Sequence, residues 1–211
     1  MTGTSKGRKA ALGVRCHSGW AATILACGSQ EQIDIIARRR IVLCDANIDG
    51  SKQPFHAAES MTFARAQTFI ERCRRSTDAL ADAAVAALLI SSRNLTISSC
   101  SILSASGRKL PLKEILASHA LIHAAEGEFY RDAVACACER ANLAVIRVRE
   151  RDALRQASDY TGLSEANVNE RLAGLGKCLG PPWTEDQKLA TLAAWTALGC
   201  RRDVGGTAAG A

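Results

Sequence analysis

Ala10-Ala-Leu-Gly-Val-Arg-Cys16, then His17-Ser-Gly19, then Trp20-Ala-Ala-Thr-Ile-Leu-Ala-Cys27: two short apolar runs joined through a glycine-containing turn. That arrangement is the signature of a β-hairpin. Gly28-Ser-Gln30 breaks the pattern, and Ile33 to Cys44, rich in Ile and Val, predicts a third extended segment. Three consecutive antiparallel strands are the consequence.

Working outward, Asp45 to Gly50 is a run of turn formers and Pro54 ends the loop. The loop is not a calcium loop of the EF-hand type, because the glutamate required at its twelfth position is His56. From about Ala57 to Ser91 apolar residues recur at helical spacing, with a bend expected at Ser76-Thr77-Asp78. Phe63, Ala66, Phe69, Ile70, Cys73, Leu80, Val85, Leu88 and Leu89 form the expected buried stripe. Leu95 to Leu103 returns to strand, ending at Ser106-Gly107, and Pro111 opens a helical region to about Arg140. Gly127 inside it suggests a junction between two helices or a close backbone approach. Leu143 to Val148 reads as a short strand, followed by helix from Glu150. Ser164 caps a helix reaching Leu172, Gly174 to Pro182 reads as loop, and a capping box at Thr184 to Gln187 launches a last helix stopped by Gly199.

The 211 residues are 47% apolar, enough for a substantial core. The longest nearly uncharged apolar run, Ala83 to Ile90, is far shorter than the roughly 20 residues that span a bilayer. Met1 to Lys9 leads into no signal-type segment. Nine cysteines, with no C-x-x-C pair, read as reduced and mostly buried thiols of a cytoplasmic protein. The formal charge of +6 comes from short clusters: Arg38, Arg39 and Arg40; Arg72, Arg74 and Arg75; Arg108-Lys109; and Arg147 to Arg155. Clustered arginine suits a phosphate-rich partner, and equally suits solvated helix ends and strand edges. Aromatic residues are only 4%, so the rings of a single-strand stacking platform are missing.

The order strand, strand, strand, helix, strand, helix, strand, helix resembles the ribonuclease H-like fold: a mixed five-stranded sheet, three antiparallel strands then two parallel ones, flanked by helices. The second His-Ala-Ala-Glu block and the Gly180-Pro-Pro-Trp183 segment are also similar to a group of uncharacterised bacterial proteins of that fold. While composition reads 1–8 as a flexible leader and the Gly/Ala/Thr-rich 200–211 as a disordered tail, the resemblance implies an α/β core over residues 9–160 with 161–199 a helical extension packed on it. It also implies nucleases that hold two Mg²⁺ ions with acidic residues at the end of the first strand, in the first helix and at the end of the fourth strand. Here Gly13 to His17 contains no carboxylate and neither does Ser99 to Ser104. Only Glu59 falls in a comparable place, so the nuclease pattern is unmatched at two of three positions.

One local pattern occurs twice. His56-Ala-Ala-Glu59 with Phe63 matches His123-Ala-Ala-Glu126 with Tyr130, each pair of equivalents 67 residues apart. On a helix these positions share one side. If the two helices face each other, His56, Glu59, His123 and Glu126, with Glu128 and Asp45 nearby, form a polar cluster able to hold a divalent metal or act as an acid/base pair. Closure to within about 5 Å of a common point would mark such a site. The bland readings are helix starts with a favourable first-turn glutamate, and chance repetition in an alanine-rich chain. His17 and His119 read as surface or loop positions. No G-x-S-x-G elbow occurs, and Gly174-Leu-Gly-Lys177 is no phosphate-binding loop. Three functions remain: nucleic-acid or phosphate-partner binding through Arg38, Arg39, Arg40, Arg72, Arg75 and Arg131; a scaffold that docks a protein or a second copy as a homo-oligomer; and a metal-dependent hydrolase of a small molecule, its metal unknown.

Overall fold

The computed structural model describes residues 7–105 and 109–200. The sequence-based leader and tail therefore fall almost wholly outside the described residues, as do Ser106, Gly107 and Arg108.

Strands β1 (Arg8–His17), β2 (Trp20–Gly28) and β3 (Ile33–Val42) form the expected antiparallel meander. β4 (Leu95–Ser104) then pairs parallel to β1, and β5 (Ala144–Arg149) parallel to β4. The spatial order is β3-β2-β1-β4-β5, one mixed five-stranded sheet as the strand succession implies.

Side-chain alternation along the central strand assigns its two faces. Leu12, Val14 and Cys16 enter the core under helices α2 (Phe63–Ser91) and α4 (His119–Arg140). Ala11, Gly13 and Arg15 turn to the other face, where Ala11 joins Ile24, Leu103 and Trp195 in a second core. That face is covered by α5 (Ala153–Thr161), α6 (Glu165–Leu179) and α7 (Glu185–Leu198), entered from a single turn of 3₁₀ helix at Glu150–Asp152. α7 lies across β1, β2 and β4, so it forms a layer of the sandwich. A Cβ at Gly13 would overlap the Ala190 carbonyl and the Ala194 amide, which is why the helix can sit so close to the strand.

Several boundaries differ from the sequence-based expectation. The single helix from Ala57 is two: α1 (Pro54–Ala58), with proline in its first turn, and α2, which starts after Thr62 adopts an extended backbone. The helix is unbroken at Ser76–Asp78, where Thr77 is buried and the Ser76 hydroxyl donates to Asp45 Oδ2. Phe63 is half exposed instead of lying in the buried stripe. The region from Pro111 divides into α3 (Leu112–Leu116) and α4, with extended Ser118 between them. Gly127 is no junction: α4 passes through it, and the Arg131 guanidinium lies against the bare Cα. Of the expected loop from Gly174 to Pro182, Gly180 to Pro182 lie outside any helix as expected, while residues 174–179 are the last turns of α6. Gly176 there seats the Trp183 indole, whose Nε1 donates to the Leu172 carbonyl at 3.0 Å. The α7 start keeps its capping interaction, Gln187 Oε1 accepting the Thr184 N–H at 2.7 Å.

All nine cysteines are free thiols, five of them buried. Cys16, Cys100 and Cys138 lie between α4 and the sheet, and burial pushes the Cys16 thiol up to about 12. Among the described residues, no helix is long and apolar enough to cross a membrane.

Candidate functional site

Because β1, β4 and β5 run parallel, His17, Ser104 and Arg149 end on one edge of the sheet, the edge where parallel-stranded sheets gather ligand groups. α4 ends at the entry to β5, so its first turn lies at this same edge, on the α2 side.

That first turn carries His119 and His123, one helical turn apart, and α1 brings His56 against them. The ring centroids are 5.3 Å (His56–His119), 4.6 Å (His56–His123) and 4.6 Å (His119–His123) apart. One ligand nitrogen from each lies within 4.8 Å of the other two, and the Nε2 atoms of His119 and His123 are 3.1 Å apart.

Two glutamates back this triad. Glu126 is 3% exposed, and its Oε1 accepts the N–H groups of Phe55 (2.8 Å) and His56 (3.1 Å) and faces His56 Nδ1 at 3.1 Å. It therefore satisfies the start of α1 and turns the His56 ring so that Nε2 is left for another partner. Its Oε2 is buried without a hydrogen-bond partner. Burial raises the Glu126 carboxyl above the usual carboxylate range, against the lowering effect of its bonds to His56 and Phe55. Glu59, at the end of α1, places Oε1 3.6 Å from His119 Nδ1.

The two His-x-x-Glu blocks thus converge, with a different membership from the sequence expectation. His56, His123 and Glu126 come together and Glu59 joins through His119. Glu128 does not: it is ion-paired with Arg131 (2.9 Å) and Arg147 (3.0 Å). Asp45 is held by Asn47 and Ser76. The repeat is not a repeat in space either, since Phe63 starts a new helix half exposed, while Tyr130 is fully buried and donates to the Ser51 carbonyl at 2.7 Å.

His119, read from sequence as a bland position, belongs to the triad, and the i, i+4 spacing of His119 and His123 was the signal that could have found it. His17 is likewise corrected. It stacks on Trp20 with centroids 4.3 Å apart and bonds Asp186 through Nε2 at 2.7 Å.

His17 belongs to a second cluster on the α7 side of the edge. Arg15 donates to both carboxylate oxygens of Glu150 (3.1 and 2.7 Å) and to Asp186 at 2.5 Å. Burial works to raise the Asp186 carboxyl, but His17 and Arg15 outweigh it and hold the group below its ordinary value. Nothing in the sequence pattern marked Asp186, which is 171 residues from Arg15.

Of the arginines proposed to contact a polyanion, Arg38 is spent on the carbonyls of Leu179, Gly180 and Pro182, and Arg131 on Glu128 and the Leu103 carbonyl. Arg40 lies 3.7 Å over Trp20. Arg39, Arg72 and Arg75 are exposed and, among the described residues, make no ion pair.

Comparison with solved structures finds RuvC from Thermus thermophilus, with 10% identity over 89% of this chain and 91% of that one and a TM-score of 0.51. T. thermophilus RuvC in complex with a Holliday junction substrate matches at 10% identity over 90% and 92%, with a TM-score of 0.48. No protein-family model and no curated protein matches the sequence. The chain has the ribonuclease H-like fold, and at this identity the fold is what is shared. The two magnesium ions of ribonuclease H-like nucleases do not fit this edge. Two cations about 4 Å apart need carboxylates around them, and here the guanidinium of Arg15 already lies between Glu150 and Asp186.

Proposed function

We propose that this chain is a ribonuclease H-like domain that binds a phosphate-bearing polyanion, nucleic acid foremost, without cleaving it by the two-metal route. The observation that carries the reading is on α2. Arg65, Arg72 and Arg75 are seven and ten residues apart, which places them on one side of the helix. All three are exposed and none pairs with a carboxylate among the described residues. Arg65 and Arg72 line one shallow groove with Met61 and Phe69. Exposed arginines that hold no internal partner gain most from phosphate contacts, because each contact releases a condensed counterion. Arg39 on the edge strand β3 adds to the set. Free thiols throughout are consistent with a reducing compartment such as the cytoplasm.

The test is fluorescence anisotropy with labelled single-stranded DNA, duplex DNA and RNA, with inorganic polyphosphate as competitor. Affinity should fall steeply between about 50 and 200 mM salt. The Arg72→Ala/Arg75→Ala pair should reduce the slope of log affinity against log salt by about 2, or about 1 per arginine. Absence of binding to all three at the lowest ionic strength removes the proposal, and Mg²⁺-dependent cleavage removes its non-cleaving clause.

A further inference from the structure

We infer that His56, His119 and His123 form a binding site for one divalent ion of the zinc class, with an open fourth position. Imidazole donors select zinc, nickel, copper or cobalt over magnesium and calcium, which take oxygen ligands. Three protein nitrogens with one vacant position are the ligand set of an open zinc site, whereas structural sites close with four protein ligands.

The geometry supplies three supports. Tetrahedral zinc with Zn–N near 2.05 Å holds its nitrogens about 3.3 Å apart. His119 and His123, at 3.1 Å, already stand at that spacing. His56, within 4.8 Å, has to swing in by at most roughly 1.5 Å, which a side-chain rotation supplies. The second support is the backing of the rings: Glu126 lies on Nδ1 of His56 and Glu59 near Nδ1 of His119. The Glu126–His56 pair, at 3.1 Å, is of the carboxylate–histidine kind that fixes the tautomer presenting the Nε2 lone pair to a metal and makes the ring a better donor, while Glu59, at 3.6 Å, stands beyond hydrogen-bond reach of His119. The third is Glu126 itself, a nearly fully buried carboxyl that holds His56 through Oε1 and leaves its Oε2 without a hydrogen-bond partner beside the triad. Access is open, because the His119 side chain is 63% exposed, so an ion and a small oxygen ligand can enter without rearrangement of the backbone.

The competing ligands are sulfur. Cys136 and Cys178 are exposed thiols that could take zinc adventitiously. The experiment therefore uses the full chain with Zn²⁺ alone in titration calorimetry and Co²⁺ alone in absorption spectroscopy. It compares the wild type, the Cys136→Ser/Cys178→Ser variant, His119→Ala, His123→Ala and Glu126→Gln. Circular dichroism confirms that each is folded; both histidine changes fall at the exposed start of α4. The expected result is one ion per chain, tetrahedral cobalt bands without thiolate charge transfer, and unchanged binding in the cysteine variant. Affinity should drop at least 100-fold in either histidine variant and 10- to 100-fold in Glu126→Gln. Failure of the wild type to bind, survival of binding in both histidine variants, or its loss with the two cysteines each overturns the site. Nucleic-acid affinity is not a readout here, so this inference and the α2 proposal fail separately.

Discussion

Two polar clusters sit on the same edge of one sheet and have opposite electrostatic designs. On the α7 side, Arg15 is an internal cation wedged between Glu150 and Asp186, so the carboxylates there are neutralised by the chain itself. On the α4 side, three histidines and two glutamates face one another with no arginine or lysine among them. The difference teaches that one sheet edge can carry both a cluster whose cation is built in and a cluster of imidazoles and carboxylates that holds none of its own. A guanidinium with matched partners closes a site; a triangle of imidazoles backed by carboxylates leaves one open.

The largest effect should come from detaching the closed cluster. Gly13→Val drives a side chain into the backbone of α7 and should cost about 3 kcal/mol or more, read as a fall in denaturation midpoint. If the clusters are independent, the zinc affinity of whatever fraction stays folded is unchanged. Next, Glu126→Ala strips the acceptor from two amides at the start of α1, with an expected loss of about 2 kcal/mol by urea unfolding. An unaltered midpoint would mean that the α1–α4 junction is not held by this carboxylate.

Arg15→Met comes third, at about 1–2 kcal/mol near neutral pH, since it leaves Asp186 and Glu150 half-buried without their cation. Here the sign of the pH dependence matters. Asp186 has its folded pKa below the unfolded value, so its stabilisation is present above about pH 4 and lost as pH falls through the folded pKa. The groups facing it are Arg15 and His17, with Glu150 on the far side of Arg15. The deficit of Arg15→Met should therefore shrink as the solution is acidified from pH 5 towards 3. A deficit independent of pH would show that lost packing, not charge, is responsible. Smallest of all, Arg72→Ala and Arg75→Ala should move stability by less than about 0.5 kcal/mol while changing only the salt dependence of binding.

The sheet was legible because its strands announce themselves locally: short apolar runs, a glycine turn after His17, and Ile and Val content. The helix ends were less legible, and each error has a local cause. Thr62 and Ser118 interrupt what reads as continuous helix by adopting extended backbone at the starts of α2 and α4. Gly127 and Gly176 look like breakers, yet they are seats for Arg131 and Trp183. The doubled His-x-x-Glu string lies on α1 and α4, and it is not the same in both copies, since Glu59 stands at the C-cap of α1 and Phe63 begins α2, whereas His123, Glu126 and Tyr130 all lie within α4. His119 needed no tertiary knowledge, only the i, i+4 spacing to His123. Asp186 could not have been found, because its pairing with Arg15 depends on α7 folding back across β1, β2 and β4.

The thiols beneath α4 give the molecule a built-in clock. Cys16, Cys100 and Cys138 are packed where a maleimide or disulfide reagent cannot follow, while Cys136 on the outer side of the same helix is open to it. Rapid labelling of Cys136 and the other accessible thiols, followed by slow labelling of the inner three resolved by peptide mapping, would time how often the histidine-bearing helix lifts from its bed, with no probe added to the chain.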